Sequence, residues 1–295
     1  MNRKKGQHYL LSAQARSLSL MQIMRLSDDE AFDLFRHARW PESGGEAICP
    51  QCGGVSHYWI KTRKQWRCKD CNHSFSVTSS TIFSNHKMPL RNYLAAIAIY
   101  SNTAKGVSVL QLSRDLDCQY KTAFVLAHKL RESLVDVNYE KLSGEVEIDG
   151  CYVNKHVRPS NRIENRVDRR LKRYQNPNKR TVMVIRQRGQ KGHGATITRT
   201  FLTKSENQRA NMAIALSNID REATIYADEH VSYDKLHSAL VMKRVNHAEY
   251  YTAPDGSNTN QAESFFARFR RMQYGQHHKM SNQYMDRYAN EAAYR

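Results

Sequence analysis

The spacing of apolar and polar positions changes character along this chain, and each change predicts a different kind of element. Over residues 1 to about 41 the spacing is helical. It is clearest at 27–36, where Phe32, Leu34 and Phe35 supply an apolar side and Ser27 with Glu30 forms a capping box. Pro41 and the Gly44-Gly45 pair end that pattern. Between about 46 and 80 the runs are short and β-like: 55–67 reads as a hairpin carrying Tyr58, Trp59 and Trp66, and 74–78 as a further strand. From 90 to about 134 the period is helical again. Leu94, Ile97 and Ala98 begin it, Gly106 interrupts, 107–116 form a short helix, 117–120 a turn, and a last helix puts Ala123, Ala127, Leu130 and Leu134 on one face. After Ser143-Gly144 the pattern becomes mixed α/β. A strand holds Asp149, followed by 181–186, a loop with Gly189, Gly192 and Gly194, and an antiparallel partner at 195–202. A helix at about 206–219, a strand ending at Asp228 and an amphipathic helix opened by Glu263 complete it.

Size and charge narrow the possibilities. A chain of 295 residues with 40% apolar content predicts two or three globular units. No apolar run approaches the roughly 20 residues that cross a bilayer, and the basic start leads into no apolar signal core, so a soluble, cytoplasmic protein is expected. The net charge of +18 points to a polyanion as partner. Much of it lies at 155–180, where ten Lys/Arg face only Glu164 and Asp168. Among them Lys155, Arg158, Arg169, Arg170, Lys172 and Arg173 read as contacts to double-stranded DNA, a solvated loop being the plainer alternative. The two short helices around the 117–120 turn have helix-turn-helix proportions, with Gln119 and Lys121 opening the would-be recognition helix; simple packing or dimerisation would use the same pattern.

Four of the six cysteines are paired as Cys49-x-x-Cys52 and Cys68-x-x-Cys71. Two such turns aim four thiolates at one tetrahedral ion, which predicts a single structural Zn²⁺. So little apolar mass surrounds them that the metal becomes a folding component. Disulfides would need an oxidising compartment. His57 and His73 are poor substitutes for a complete thiolate set, and Cys118 and Cys151 read as small buried thiols. The expected division is a helical segment at 1–45, a zinc ribbon at 46–88, a helical, helix-turn-helix-like region at 89–142 and an α/β catalytic domain at 143–295.

Asp149, Asp228 and Glu263 stand on two strands and a helix, so only folding can bring them together. Converging carboxylates destabilise one another unless hard divalent cations compensate, and two Mg²⁺ (or Mn²⁺) ions about 4 Å apart are what in-line displacement at a phosphodiester needs. In this reading Asp149 bridges both ions, Asp228 holds one and Glu263 the other; water attacks first and a freed 3′-hydroxyl second. Asn260 precedes Glu263 by a turn, and Arg270 follows seven residues later on the same face, placed to clamp a phosphate. Glu147, Glu229, Asp234 and Asp255 are competing acids in poorer contexts, and His156 and His230 read as bystanders. Three strands, a helix, another strand and then helices are the opening order of a ribonuclease H-like domain, a mixed sheet flanked by helices, with the three acids where that topology sets them.

Several motifs together carry a resemblance. They are Arg39-Trp40-Pro41 before the first cysteine pair, Phe75 to Phe83 after the second, Glu147-Ile-Asp149, Asp228 with Tyr233 and Leu236, Asn258-x-Asn260-x-x-Glu263, and the tail from Tyr288 to Arg295. Asp228 and Glu263 are separated by 34 residues. Over nearly its whole length the chain resembles insertion-sequence transposases of the IS1595 family, which carry an ISXO2-like DDE catalytic domain behind a zinc ribbon. The resemblance implies a nucleoid-associated prokaryotic enzyme that binds the terminal inverted repeats of its element, cuts there and joins the 3′ ends to target DNA, as a homodimer or larger synaptic assembly. It departs at Gly150, where an acidic residue is common in the family, and in the arginine-rich segment that follows. A nuclease without strand transfer and a non-catalytic DNA-binding regulator are the competing functions; intact acids oppose the second.

Overall fold

The structure, a computed structural model, describes residues 19–135, 140–154, 156–190 and 194–295, with no side chain described at Lys172. Lys155, Gly192 and the helical pattern expected before residue 19 lie outside these. The chain divides into two compact units between Ser133 and Leu134.

In the first unit, helix α1 (Leu20–Arg25) precedes α2 (Asp28–Arg39), which begins at the capping box: the Glu30 carboxylate accepts from the Ser27 backbone N–H at 2.8 Å while the Ser27 hydroxyl accepts from the Glu30 N–H. Strands β1 (His57–Ile60), β2 (Gln65–Cys68) and β3 (Ser74–Ser76) form one antiparallel sheet in that order. Its core is aromatic and is completed by α2. Phe32 stacks on Trp66 at 5.7 Å, Trp66 stacks on Phe75 at 5.7 Å, and Trp40 meets Trp66 edge-on. Arg39 locks the helix end to the ribbon, donating to the Ser76, Val77 and Ser79 carbonyls at 2.6 to 2.9 Å.

Helices α3 (Leu90–Asn102), α4 (Val109–Asp115) and α5 (Tyr120–Glu132) follow. Ser108 caps α4 by accepting from the Gln111 N–H. The link to α5 turns at Asp117, with φ of 47°, and is closed by the Cys118 N–H on the Ser113 carbonyl. Ala123, Ala127 and Leu130 are buried as expected, but α5 ends at Glu132. Leu134 therefore does not extend that face; it falls past the helix, in the second unit.

The second unit holds β4 (Glu145–Val153), β5 (Arg180–Arg188), β6 (Ala195–Thr203), α6 (Gln208–Asn218), β7 (Thr224–Asp228), β8 (Val241–Val245), α7 (Asn260–Met272) and α8 (Met285–Tyr294). The five strands make one mixed sheet in the order β6-β5-β4-β7-β8, β5 antiparallel to both neighbours and β7 parallel to both of its own. β8 corrects the sequence reading, which passed from β7 straight to helices. Only Val245 of that strand is buried, because it lies at the sheet edge, so its alternation is faint. One face packs Ile148, Met183 and Ile225 against Ala215 of α6 and against Tyr233 and Leu236. The other packs Cys151 and Val184 against Phe265 and Phe269 of α7 and Met285 of α8. Strand alternation sets Glu147 and Asp149 toward α7, and Gly150 and Tyr152 toward the opposite face. No helix among the described residues is long and apolar enough to cross a membrane.

Candidate active site and cysteine cluster

Asp149 lies on the central strand β4, Asp228 is the last residue of the neighbouring β7, and Glu263 sits in the first turn of α7. Folding brings Asp228 and Glu263 within electrostatic reach of Asp149. Burial, followed by the charge of Asp228 and then those of Glu206 and Glu263, pushes the Asp149 carboxyl up to about 8, although its Oδ1 accepts the Gly150 N–H at 2.6 Å. Asp228 accepts from the His230 N–H at 3.0 Å. Glu263 is 44% exposed, with His247 Nε2 at 3.6 Å. His247 also contacts the Thr259 hydroxyl at 2.9 Å, so it tethers the loop before α7 to the acid. The oxygens are spaced more loosely than a filled site: among the described residues the four thiolates are the one group of three or more such donors within 4.8 Å of one another.

A fourth carboxylate belongs to this group and was missed in the sequence. The Glu206 side chain is 5% exposed, accepts from the Tyr233 hydroxyl at 2.7 Å and from Ser232 at 3.4 Å, and adds its charge at Asp149. A Cβ at Gly150 would come within 2.8 Å of the Glu206 carboxyl, so the glycine makes room for the acid. That gives the departure at Gly150 a steric reason. A lone Glu two residues ahead of a helix carries no signal of this kind.

The competing acids have other partners. Glu147, fully buried, takes Arg188 Nε on one oxygen at 2.7 Å and the Ala262 backbone N–H on the other at 2.9 Å. It thereby caps α7 from the sheet, and Thr259, the residue at the helix start, contributes no side-chain cap. Arg188 continues the clamp onto the Asn258 carbonyl at 2.5 Å and lies 3.8 Å above the Tyr226 ring, and Arg186 donates to the Gln261 carbonyl. Three side chains from β4 and β5 thus fix the turn that carries Glu263. Glu229 accepts the His247 N–H, Asp234 pairs with Arg244, and Asp255 accepts from Ser257.

The remaining sequence candidates are spread out. Asn260 is exposed at the start of α7 and Arg270 half-buried near its end. The connection between β4 and β5 has two short 3-10 turns and no strand or longer helix among the described residues. In it Arg158 is exposed, Arg169 donates to the Tyr174 carbonyl, Arg170 pairs with Asp168 and Arg173 covers the Tyr174 ring. Lys155 and the Lys172 side chain fall outside the described part of this connection. Gln119 and Lys121 are exposed at the start of α5, in the first unit.

Cys49, Cys52, Cys68 and Cys71 close on one point, with Sγ–Sγ distances of 3.6 Å for Cys49–Cys71 and for Cys52–Cys68. A tetrahedral zinc site with bonds of about 2.3 Å has edges of about 3.8 Å, so the donors fit a structural Zn²⁺. Each pair sits in the same turn. The N–H four residues on bonds back to the first cysteine carbonyl, from Gly53 and from Asn72, and both residues adopt positive φ, 76° and 58°. His57 and His73 stand against Phe75 and outside the cluster. No disulfide forms.

Comparison with known proteins agrees with this arrangement. Residues 26–74 match the transposase zinc-ribbon domain, and residues 141–295 match the ISXO2-like transposase domain. A protein described as "Uncharacterized protein in transposable element ISH50", from Halobacterium salinarum, is 25% identical over 243 residues, covering 80% of this chain and 77% of its own. With a zinc-ribbon match ahead of a catalytic-domain match that spans more than half of its length, the chain belongs to the IS1595 family of insertion-sequence transposases, those with an ISXO2-like transposase domain.

Proposed function

We propose that the second unit is a ribonuclease H-like DDE domain that cuts DNA at the terminal inverted repeats of its element and joins the 3′ ends to target DNA. The observation that carries this reading is the gathering of Asp228, Glu206 and Glu263 around Asp149 of the central strand, where burial and then their negative charges push Asp149 up to about 8. Central β4, its antiparallel neighbour and the two parallel strands beyond it support the fold assignment.

The donor set fits hard divalent cations: carboxylate oxygens with no thiolate or imidazole among the three triad acids, and a repulsion that cation binding would relieve. Asp149, Asp228 and Glu263 would hold Mg²⁺ there, and the bound metal would supply an activated oxygen nucleophile and a stabilised leaving oxygen. The chain does the rest. Glu147, Arg186 and Arg188 hold Glu263 in register with Asp149. His247 is 3.6 Å from Glu263, set to orient its carboxylate. Arg270 and the basic connection after β4 would bind phosphates flanking the reacting one, and the ribbon and α4–α5 would provide further DNA contacts.

The test is a strand-transfer assay with labelled element ends and a supercoiled target, run with Mg²⁺ and with chelator. Joined product that requires the metal and both Asp149 and Glu263 supports the proposal. Nicking without joining would reduce the protein to a nuclease, and end binding without any cleavage would leave only a regulator.

A further inference from the structure

We infer that the recess at the far end of β4 is a pocket for one unpaired nucleotide of the DNA strand held by the acids; this rests on the DNA-transposition reading and names the part of the substrate that the site takes. The recess has a volume of about 810 Å³ and lies among Tyr152 to Asn154, the end of α7 and the stretch from His278 to Asn282. That is the size of small-molecule sites, enough for a nucleotide and too little for a duplex.

Its position follows from the two elements that carry the acids. Val153, on the same face of β4 as Asp149, is four residues beyond it, about 13 Å at a strand's rise of about 3.3 Å per residue. Arg270 is seven residues beyond Glu263 on α7, about 10 Å at 1.5 Å per residue. Strand and helix thus both lead from the carboxylates to one recess, within about three to four nucleotide steps of about 3.4 Å each. Glu263, Arg270 and Tyr274 follow one another at helical spacings along the same stripe.

The lining has the chemistry of a nucleotide site. Among the described residues no Asp or Glu borders it, while Arg270 and Lys279 do, so an anion is favoured. Gln273 is the independent pointer: it is only 7% exposed, faces the recess, and its amide has no hydrogen-bond partner among the described residues. An amide that faces the recess with two donors and an acceptor unused matches a base edge. Tyr274, 64% exposed, offers a ring for stacking. The wall is fixed: Asn154, at φ of 54°, donates to the Met280 carbonyl and to Asn282 Oδ1, both at 3.0 Å. Gln273 and Tyr274 reach the recess because α7 runs on as a π-helical turn, Gln273–His277, ending in His278 with a positive φ of 55°, a strained arrangement of the kind found at functional sites. A paired base has its Watson–Crick edge occupied and cannot enter, so the occupant is unpaired.

The test uses full-length protein with Ca²⁺ and duplexes of the element's own end, in which 2-aminopurine replaces one base at a time over the terminal positions of each strand. A several-fold fluorescence rise at one position on binding is expected. It should be lost in Gln273→Ala and in Tyr274→Ala, the second altering an exposed ring that folding does not need. Removing the base at that position should weaken binding by wild type several-fold and leave Gln273→Ala unaffected. DNA that is bound, and cut once Mg²⁺ replaces Ca²⁺, with no rise at any position or with a rise indifferent to both variants, overturns the pocket and leaves the transposase reading intact. Failure to bind or cut the ends at all overturns both.

Discussion

Asp149 is placed where burial and three neighbouring carboxylates, Asp228, Glu206 and Glu263, all oppose its charge. Its folded-state value of about 8 lies above the ordinary 3.8, so the metal-free folded protein holds a proton that the unfolded chain has released. The favourable contribution is complete below about pH 4 and is lost as pH rises through about 8. Thermal melts in chelator should therefore show stability falling across that window, with the fall reduced in Asp149→Asn and reversed near pH 8 by Mg²⁺; a wild-type profile that matches the variant would refute the assigned environment. For chemistry, Asp149→Asn and Glu263→Gln should each lower end cleavage by at least ~100-fold, the usual scale for losing a group that stabilises the reacting phosphate, with end binding retained. The three acids stand out as candidates in the sequence because Asp149 lies within a recognisable strand, Asp228 ends one and Glu263 opens a helix. Glu206 could not, since its place depends on Gly150 having no side chain and on Tyr233 being folded over it.

Among the elements, α7 shows how a helix is aimed by its neighbours. Its own N-terminal residue supplies no cap, and the buried Glu147 on β4 does so instead while pairing with Arg188. Glu147→Ala should destabilise the second unit by about 3–5 kcal/mol, because it removes the buried partner of Arg188 Nε and of the Ala262 N–H. Glu147→Gln, which keeps one acceptor, should lose less. Urea unfolding of both variants checks this, and equal losses would mean that charge, not hydrogen bonding, holds the turn. In the sequence Glu147 looked like a rival to Asp149, because alternation puts both on one face and says nothing of what lies opposite. Edge strand β8 was hidden for a related reason: its burial pattern is too shallow to register as a strand.

Over the whole molecule, the +18 charge predicts DNA binding that weakens steeply with salt. Replacing Arg158, Arg169, Arg170 and Arg173 by Ala should flatten the log–log salt slope by about 0.9 for each phosphate that is no longer neutralised, as measured by fluorescence anisotropy. An unchanged slope would place the DNA elsewhere. Metal dependence separates the two units. The three tryptophans, Trp40, Trp59 and Trp66, all lie in the first unit, packed around the ribbon. Stripping zinc should shift tryptophan emission to the red and open residues 19–133 to protease while the second unit stays resistant; resistance throughout would show that the aromatic core holds without the ion.

The sequence by itself determined most of the elements and the thiolate set, because capping boxes, Cys-x-x-Cys turns and alternating strands are local and announce themselves over a few residues. Tertiary structure alone decided which of several acids meet. Asp149 and Glu147 are two residues apart on one strand face, yet one joins the carboxylate group and the other caps a helix. That division depends on where α7 and α6 pack against the sheet, an outcome of long-range burial that no short stretch of chain encodes.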